Sequence, residues 1–461
     1  MQRESPPDLR SFLADYEAAH PEDVWRVKEP VAIDCVPTAF VLELERRRRS
    51  SPILVFENVE GFSAPIVTNV FGTRERIAFV LGTDLAHLHQ TWEERTKQLL
   101  APTWTDQGPV QQVVLRGDDI DLTALPIPKH FLDDGDRYVC SGVCVARDPD
   151  TGIGNLAFAR MQLKGRNKLG LSVHSRGHLW DYFRRAEERG QALEIAVVIG
   201  PHPSVMLASG SRARIDMDEY DIAGALQGRP VELVRGVSVD VGVPANAEIV
   251  IEGRVLPGVR EDEGPFGEYP GYSTDRSTRN VIEVTAVTMR PDPVYLDVTP
   301  GLCSEHLLLD RIQKESIMTR RLQEVVSDVK GVFYPKSGTL FHCYVSLDKQ
   351  LEGQPQQVGT LLLGLDQYVK LAIIVDADID ISNEEEVLWA VATRMQAHKD
   401  VFMVPRSLTN VLDPSSDHGL SSKVVVDATM PLDWDATPLR LPEAARGAAR
   451  RAVSRWLGRT V

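Results

Sequence analysis

The run Glu263-Gly264-Pro265-Phe266-Gly267-Glu268 sets two carboxylates five residues apart on a Gly/Pro turn, beside Phe266, Tyr269 and Tyr272. Proton-transfer chemistry needs such a pair in unlike surroundings, one ionised and one holding a proton. The alternative is a solvated acidic loop, because Glu261 and Asp262 precede the run. Upstream, Asn155-Leu156-Ala157-Phe158-Ala159-Arg160 places an amide and a guanidinium five positions apart. On an unbroken strand an odd offset turns them to opposite faces, so both reach one site only across a bend or bulge. His174, His178 and Glu219 follow. Asn, His and Glu together form a thiolate-free, oxygen-rich donor set that suits Mn2+ or Mg2+ rather than structural zinc. For each histidine the alternative is an ordinary surface or cap position.

Several longer segments accompany these residues. They include Pro52-Ile53-Leu54-Val55-Phe56-Glu57-Asn58-Val59, Thr68-Asn69-Val70-Phe71-Gly72-Thr73-Arg74-Glu75-Arg76 and Leu125-Pro126-Ile127-Pro128. Glu219-Tyr220-x-x-Ala223-Gly224, Val243-Pro244-Ala245-Asn246-Ala247-Glu248 and Trp389-Ala390-Val391-Ala392-Thr393-Arg394 continue the series. In this order, over nearly the whole length, the chain resembles the UbiD family of prenylated-flavin-dependent decarboxylases.

The resemblance implies roles at matching positions. Asn155, His178 and Glu219 would bind a divalent metal, Mn2+ or Mg2+, that holds the phosphate of prenylated FMN; His174 is the rival for the histidine role. A K+ ion is implied nearby. Arg160, Glu263 and Glu268 match the family's Glu-Arg-Glu network, with Arg160 also beside the cofactor. Lys370 matches a flavin contact. Ser204 is singled out from the segment 200–208, which matches a loop beside the phosphate. Gly177 and Tyr269 depart from the pattern at positions where relatives vary. The implied activity is reversible, non-oxidative decarboxylation of an aromatic or heteroaromatic acid through a covalent substrate–prenylated-FMN adduct, with Glu268 as proton donor. The alternatives are an α,β-unsaturated, cinnamate-type acid, a cofactor-binding subunit of a multi-subunit carboxylase, or a plain FMN oxidoreductase. Substrate choice is expected to lie with Leu302, His306, Arg311, Ile317 and the loop 404–417. The partners implied are the acid and CO2, a flavin prenyltransferase that supplies the cofactor, and further copies of the chain in a homodimer or hexamer.

Elements able to hold these groups can be read from periodicity. Leu9, Phe12, Leu13 and Tyr16 recur at helical spacing, with Asp8 as a cap. Strands are predicted at 31–36, 53–57 and 66–70 and helices at 38–48 and 73–82, forming an N-terminal α+β unit over 1–105. Residues 106–305 are β-rich, with strands at 110–115, 138–148, 154–163, 193–199 and 247–255 and a helix at 178–189. Non-local strands interrupted in this way indicate a split β-barrel, here the cofactor-binding domain. Residues 306–461 alternate strands (340–346, 370–375) with helices (312–326, 356–364, 384–398), an α/β domain suited to oligomerisation. A last helix at 442–457 is placed to dock on another subunit. The fold class is therefore mixed α/β (α+β).

Composition narrows the function classes. The 461 residues are 43% hydrophobic and carry a net charge of −15, which opposes a nucleic-acid partner. The basic runs at Arg46–Arg49 and along the last helix read as solvated faces or contacts to an acidic partner subunit. Five scattered cysteines lack a C-x-x-C pair, so reduced thiols in a cytoplasmic protein are expected. Cys140 and Cys144, four apart, read as buried spectators in a valine-rich strand. No apolar run approaches the roughly 18 residues of a membrane span, and the polar N-terminus does not read as a signal peptide.

Overall fold

A computed structural model describes residues 6–48, 50–173, 177–211, 213–275, 277–437, 439 and 441–457. Leu9–Ala19 forms the opening helix, and the Asp8 side chain caps it by accepting from the Ser11 amide. The predicted strand at 31–36 is absent: Val31 makes a single bridge to Val59, and the helix Val36–Arg48 already begins there. The edge strand is instead Val24–Val27, parallel to Ile53–Phe56. Ile66–Thr68 and Tyr295–Leu296 complete this four-stranded sheet, so its last strand comes from the far end of the central segment. One apolar core runs continuously from Leu9 to Ile312.

The central sheet is nine-stranded and curls into a half-barrel. Its longest members, Ile249–Glu263 and Ser277–Met289, pair antiparallel, and two register shifts between them bend the sheet. The predicted strand 138–148 divides into Tyr138–Val139 and Val143–Arg147, and 154–163 divides into Gly154–Phe158 and Met161–Leu163. This last division shapes the whole barrel. Gly154–Phe158 is the outer strand at one end of the sheet, and Met161–Leu163 lies beside the outer strand at the other end. Two residues, Ala159 and Arg160, span the seam.

The C-terminal lobe holds a five-stranded sheet ordered Val329–Phe333, His342–Leu347, Leu371–Asp376, Leu420–Ala428 and Val401–Leu408. Gln354–Leu365 packs on one face and Glu384–Arg394 on the other. The helix predicted at 312–326 begins eight residues earlier, as Ser304–Gln323. It joins the two lobes: Leu308, Leu309 and Ile312 enter the first core, Met318 and Leu322 the second. Its buried charges blurred the helical pattern. Glu305 accepts from the amides of Asn69, Phe71 and Thr299, and Glu315 takes a bidentate pair from Arg74 at 2.7 and 2.6 Å. The final helix, Glu443–Leu457, has no fully buried residue among those described, and Trp456 is 82% exposed. Among the described residues no helix is long and apolar enough to cross a membrane.

Candidate active site

The carboxylate motif lies on a hairpin inserted between the two longest barrel strands. Glu263 ends Ile249–Glu263, and Phe266–Gly267 pairs with Ser273–Thr274 before the chain re-enters the barrel at Ser277. Gly264 has φ +90°, a conformation that side chains disfavour. Its amide donates to the Tyr138 hydroxyl at 3.1 Å. Gly267 has no room for a side chain, since a Cβ would meet the Phe131 ring at 2.3 Å. Asp134 pins the turn by accepting from the amides of Gly267 (2.8 Å) and Phe131 (2.9 Å). These contacts make the segment a packed element rather than the solvated acidic loop.

Arg160 projects from the barrel seam onto this hairpin. Its Nε and Nη2 donate to the two oxygens of Glu263 at 2.9 and 3.0 Å. Its Nη1 donates to Glu268. The guanidinium lies 4.8 Å from the centre of the Phe266 ring. The Arg160 side chain is 8% exposed, that of Glu263 1% and that of Glu268 12%. Burial opposes the charge on Arg160, but the bond to Glu263 and the fields of both carboxylates hold its pKa above the usual value. The family resemblance implied a Glu-Arg-Glu network of these three residues. The structure brings the three together, with one cation bridging both carboxylates.

A second cluster gathers at the strand Gly154–Phe158, which leads into the seam. The Asn155 amide nitrogen donates to both oxygens of Glu219 at 3.0 and 3.1 Å, and the Leu156 amide donates to Glu219 at 2.9 Å. His178 Nδ1 is 3.7 Å from Glu219 Oε1. Glu219 and His178 open two helices, Glu219–Gln227 and His178–Glu188, whose N-termini favour anions. The carbonyl oxygen Asn155 Oδ1 is buried without a protein partner. An orphaned amide oxygen, an imidazole and a buried carboxylate fit a hard divalent cation, with a phosphate completing its shell. His174 falls outside the described residues.

The break at Ala159–Arg160 supplies the bend that brings Arg160 to a cavity of about 410 Å3. Ala157, Phe158 and Ala159 form one wall; Tyr269, His306, Leu307 and Tyr368 belong to the other. Other sequence-derived positions lie elsewhere. Lys370 does not line the cavity: its ammonium is 2.7 Å from both Asp413 Oδ2 and Ser415 Oγ. Ser204, near the start of the helix Pro203–Ser209, bonds His202 and Gln227, and it is the far end of that helix, Ser209, that reaches the cavity. Arg311 turns away to donate to the carbonyls of Pro335 and Thr339. Leu302 is 41% exposed, and Ile317 packs against the C-terminal core. Sequence reasoning missed Cys140, Asp310 and Tyr368. Asp310 lies one helical turn after His306, and that spacing was the available signal. Tyr368 stands two residues before Lys370, the position chosen instead.

Three family models match the chain in succession, those of the 3-octaprenyl-4-hydroxybenzoate carboxy-lyase N-terminal domain (residues 18–96), Rift-related domain (103–303) and C-terminal domain (311–428). The chain belongs to the UbiD family of carboxy-lyases and is an enzyme of that class. It is 35% identical to anhydromevalonate phosphate decarboxylase of Methanothermobacter thermautotrophicus over 408 residues, 87% of this chain and 94% of that one. The UbiD-class enzyme HmfF from Pelotomaculum thermopropionicum, solved in complex with FMN, is 38% identical with a TM-score of 0.90, covering 95% of this chain and 98% of that one. An evolved dimeric form of HmfF has been solved in complex with prFMN. The apo 3,4-dihydroxybenzoic acid decarboxylase (AroY) of Klebsiella pneumoniae is 28% identical with a TM-score of 0.89, covering 96% and 99%.

Proposed function

We propose that the enzyme decarboxylates an aromatic or heteroaromatic carboxylic acid, reversibly and without net oxidation, using prenylated FMN. The observation that carries this reading is the single guanidinium bonded to two carboxylates at a cavity walled by both aromatic and polar side chains. Prenylated FMN, when bound, supplies the covalent electron sink for the carbanion left by CO2. Asn155, His178 and Glu219 would hold Mn2+ or Mg2+ against its phosphate, with K+ nearby. Solved FMN and prFMN complexes of HmfF support this choice of cofactor.

The chain's own residues have distinct tasks. Glu263 fixes Arg160 through two parallel bonds, the geometry that best orients a guanidinium. The substrate carboxylate competes with Glu268 for Arg160 Nη1. A proton taken up by Glu268 weakens its hold on Arg160 and frees it to turn. Glu268 then gives that proton to the carbon that has lost CO2, so one proton is consumed for each CO2 released. The aromatic and aliphatic walls keep water from the reacting carbon.

An aromatic acid is favoured over a phosphorylated one by the cavity's charge. Arg160 is the only arginine or lysine among the described residues lining it, and both carboxylates already engage it. A homo-oligomer is the favoured assembly, with the exposed helix Glu443–Leu457 as a contact. A flavin prenyltransferase is the supplier of the cofactor. The test is CO2 release from benzoic, hydroxybenzoic, pyrrole, furan, indole and cinnamic acids, by protein co-produced with a flavin prenyltransferase and given Mn2+ and K+. Release from a ring acid, absent without the prenyltransferase, is the expected result. Release from cinnamic acid alone would move the assignment to the unsaturated acids. NADPH oxidation without CO2 release would replace it with a flavin oxidoreductase.

A further inference from the structure

A group of buried polar atoms lies behind the cavity wall at Cys140. Tyr295 and Asp297 stand two residues apart where the strand Tyr295–Leu296 ends, so their side chains share a face. His130 places Nε2 3.5 Å from Asp297 Oδ1, and its Nδ1 lies 2.9 Å from Thr38 Oγ1. His130, Tyr295 and Asp297 are each at most 1% exposed. Neither Asp297 oxygen, nor Tyr295 Oη, nor His130 Nε2 has a well-formed hydrogen bond to a described residue. Four unpaired polar atoms in one buried cluster call for a small guest that both donates and accepts. The described residues hold no group of three or more His, Cys, Asp or Glu able to bind a metal, so the guest is water rather than a cation.

The cluster holds a proton beside the cavity. Burial pushes the His130 pKa down to about 3, so its ring is neutral. Burial and the field of Glu305 hold the Asp297 carboxyl well above the usual carboxylate range, against weaker pulls from the Val298 amide and the Thr68 hydroxyl. The groups facing Asp297 are thus His130, Cys140, Tyr295, Glu305 and Thr68, none of them a cation. Of His130, Cys140, Tyr295 and Asp297, only Cys140 lines the cavity. Burial keeps Cys140 a thiol, and it feels the fields of both Asp297 and Glu268. It therefore stands near the cluster on one side and the catalytic carboxyl on the other.

Glu268 takes up its proton once the acid has reached Arg160, when the acid itself fills the way to bulk water. We propose that Asp297 stores this proton and passes it to Glu268 through water in the cluster and the Cys140 thiol. This rests on the decarboxylase reading and adds a proton source to it. The acid's carboxylate sets a like charge beside Glu268 and draws the proton forward. Cys140 S–H gives its proton to Glu268 as it takes one from water, and that water takes one from Asp297. No thiolate forms and no electron moves. Asp297 regains a proton from bulk water through the emptied cavity after product leaves, so one proton is still consumed for each CO2 released.

The test compares full-length wild type, Asp297→Asn and Cys140→Val, with flavin content and thermal unfolding as checks on folding. On protein loaded with unprenylated FMN and Mn2+, the infrared difference between wild type and Asp297→Asn at about pH 8 should show the C=O stretch of a protonated carboxyl. With prenylated FMN and an acid that wild type decarboxylates, Asp297→Asn should lose about tenfold in kcat at about pH 8, with KM within about twofold. The deficit should shrink below about threefold near pH 6, where solvent protonates Glu268 before the acid binds. Cys140→Val keeps the store and blocks its path, so it should retain the carboxyl band and show the same pH-dependent deficit; it carries the kinetic test alone if Asp297→Asn does not fold. Absence of the band, a deficit equal at both pH values, or kcat within about twofold of wild type at about pH 8 overturns the store and leaves the decarboxylase reading intact. Failure of wild type to release CO2 from any acid overturns the decarboxylase reading and the transfer to Glu268 with it, while the band still reports the proton on Asp297.

Discussion

Arg160 and Glu263 are joined by two parallel hydrogen bonds of 2.9 and 3.0 Å across 103 residues of chain. The link fastens the seam of the barrel to the end of its longest strand. A lysine cannot form this fork. Arg160→Lys should therefore lose at least about a hundredfold in kcat, because the cation no longer holds both carboxylates in place. It should also lower the Tm, since Glu263 is left buried with half its partners. CO2 release and thermal unfolding on the same preparation check both.

Glu268→Gln keeps the shape of the side chain and removes its acid. Flavin content and absorbance should match wild type, while CO2 release falls by about 10²–10⁴-fold. Wild-type turnover in this variant would remove Glu268 from the mechanism.

Glu219 accepts from the Asn155 side chain and the Leu156 amide at 2.9–3.1 Å. Glu219→Ala should lose Mn2+, measured by metal analysis, and weaken FMN binding by at least about tenfold. Chelation of the wild type should lower its flavin affinity in the same way, with recovery on adding Mn2+. Full flavin affinity after the metal is removed would contradict the assignment.

His130 is buried beside Thr38 and Asp297, and burial pushes its pKa down to about 3. The unfolded chain protonates near 6.5, so between these values the unfolded state binds the extra proton. Stability from this group is complete above pH 6.5 and is lost as the pH falls toward 3. Compared with His130→Asn, wild type should lose up to about 1.4 kcal/mol per pH unit below pH 6.5. Urea midpoints from pH 7.5 to 4.5 measure the difference, and parallel curves would show that His130 does not titrate in this way.

The helix Glu443–Leu457 leaves Trp456 82% exposed. Removing residues 443–461 should lower the mass of the assembly in light scattering without lowering the Tm of the remaining fold by more than a few degrees. An unchanged mass would exclude this helix from the subunit contact.

Much of this arrangement was legible in one sequence. The hairpin carboxylates, Arg160 and the Asn155–Glu219 pair were chosen by residue type, spacing and family likeness, and the structure brings each group together. The need for a bend between Asn155 and Arg160 followed from strand geometry alone. Lys370 lies away from the cavity, because its strand fixes its sequence position but not its neighbour: Asp413 arrives from a distant loop and pairs with the ammonium. The start of the helix Ser304–Gln323 was hidden because Glu305 and Arg311 are buried there, and periodicity arguments read charges as solvent-facing. Buried charge partnered by distant backbone leaves no local signature.

The seam at Ala159–Arg160 separates two kinds of evolutionary change. One residue inserted between Phe158 and Met161 would shift every later pairing of that strand and turn the seam, so the Arg160–Glu263 link tolerates almost no drift in length. The opposite wall is under no such constraint, because His306, Leu307 and Asp310 ride on a helix shared with the other lobe. That helix and the residues facing it can change while the Arg160–carboxylate group stays fixed, so under the proposed function one scaffold diversifies its substrates without reinventing its catalyst.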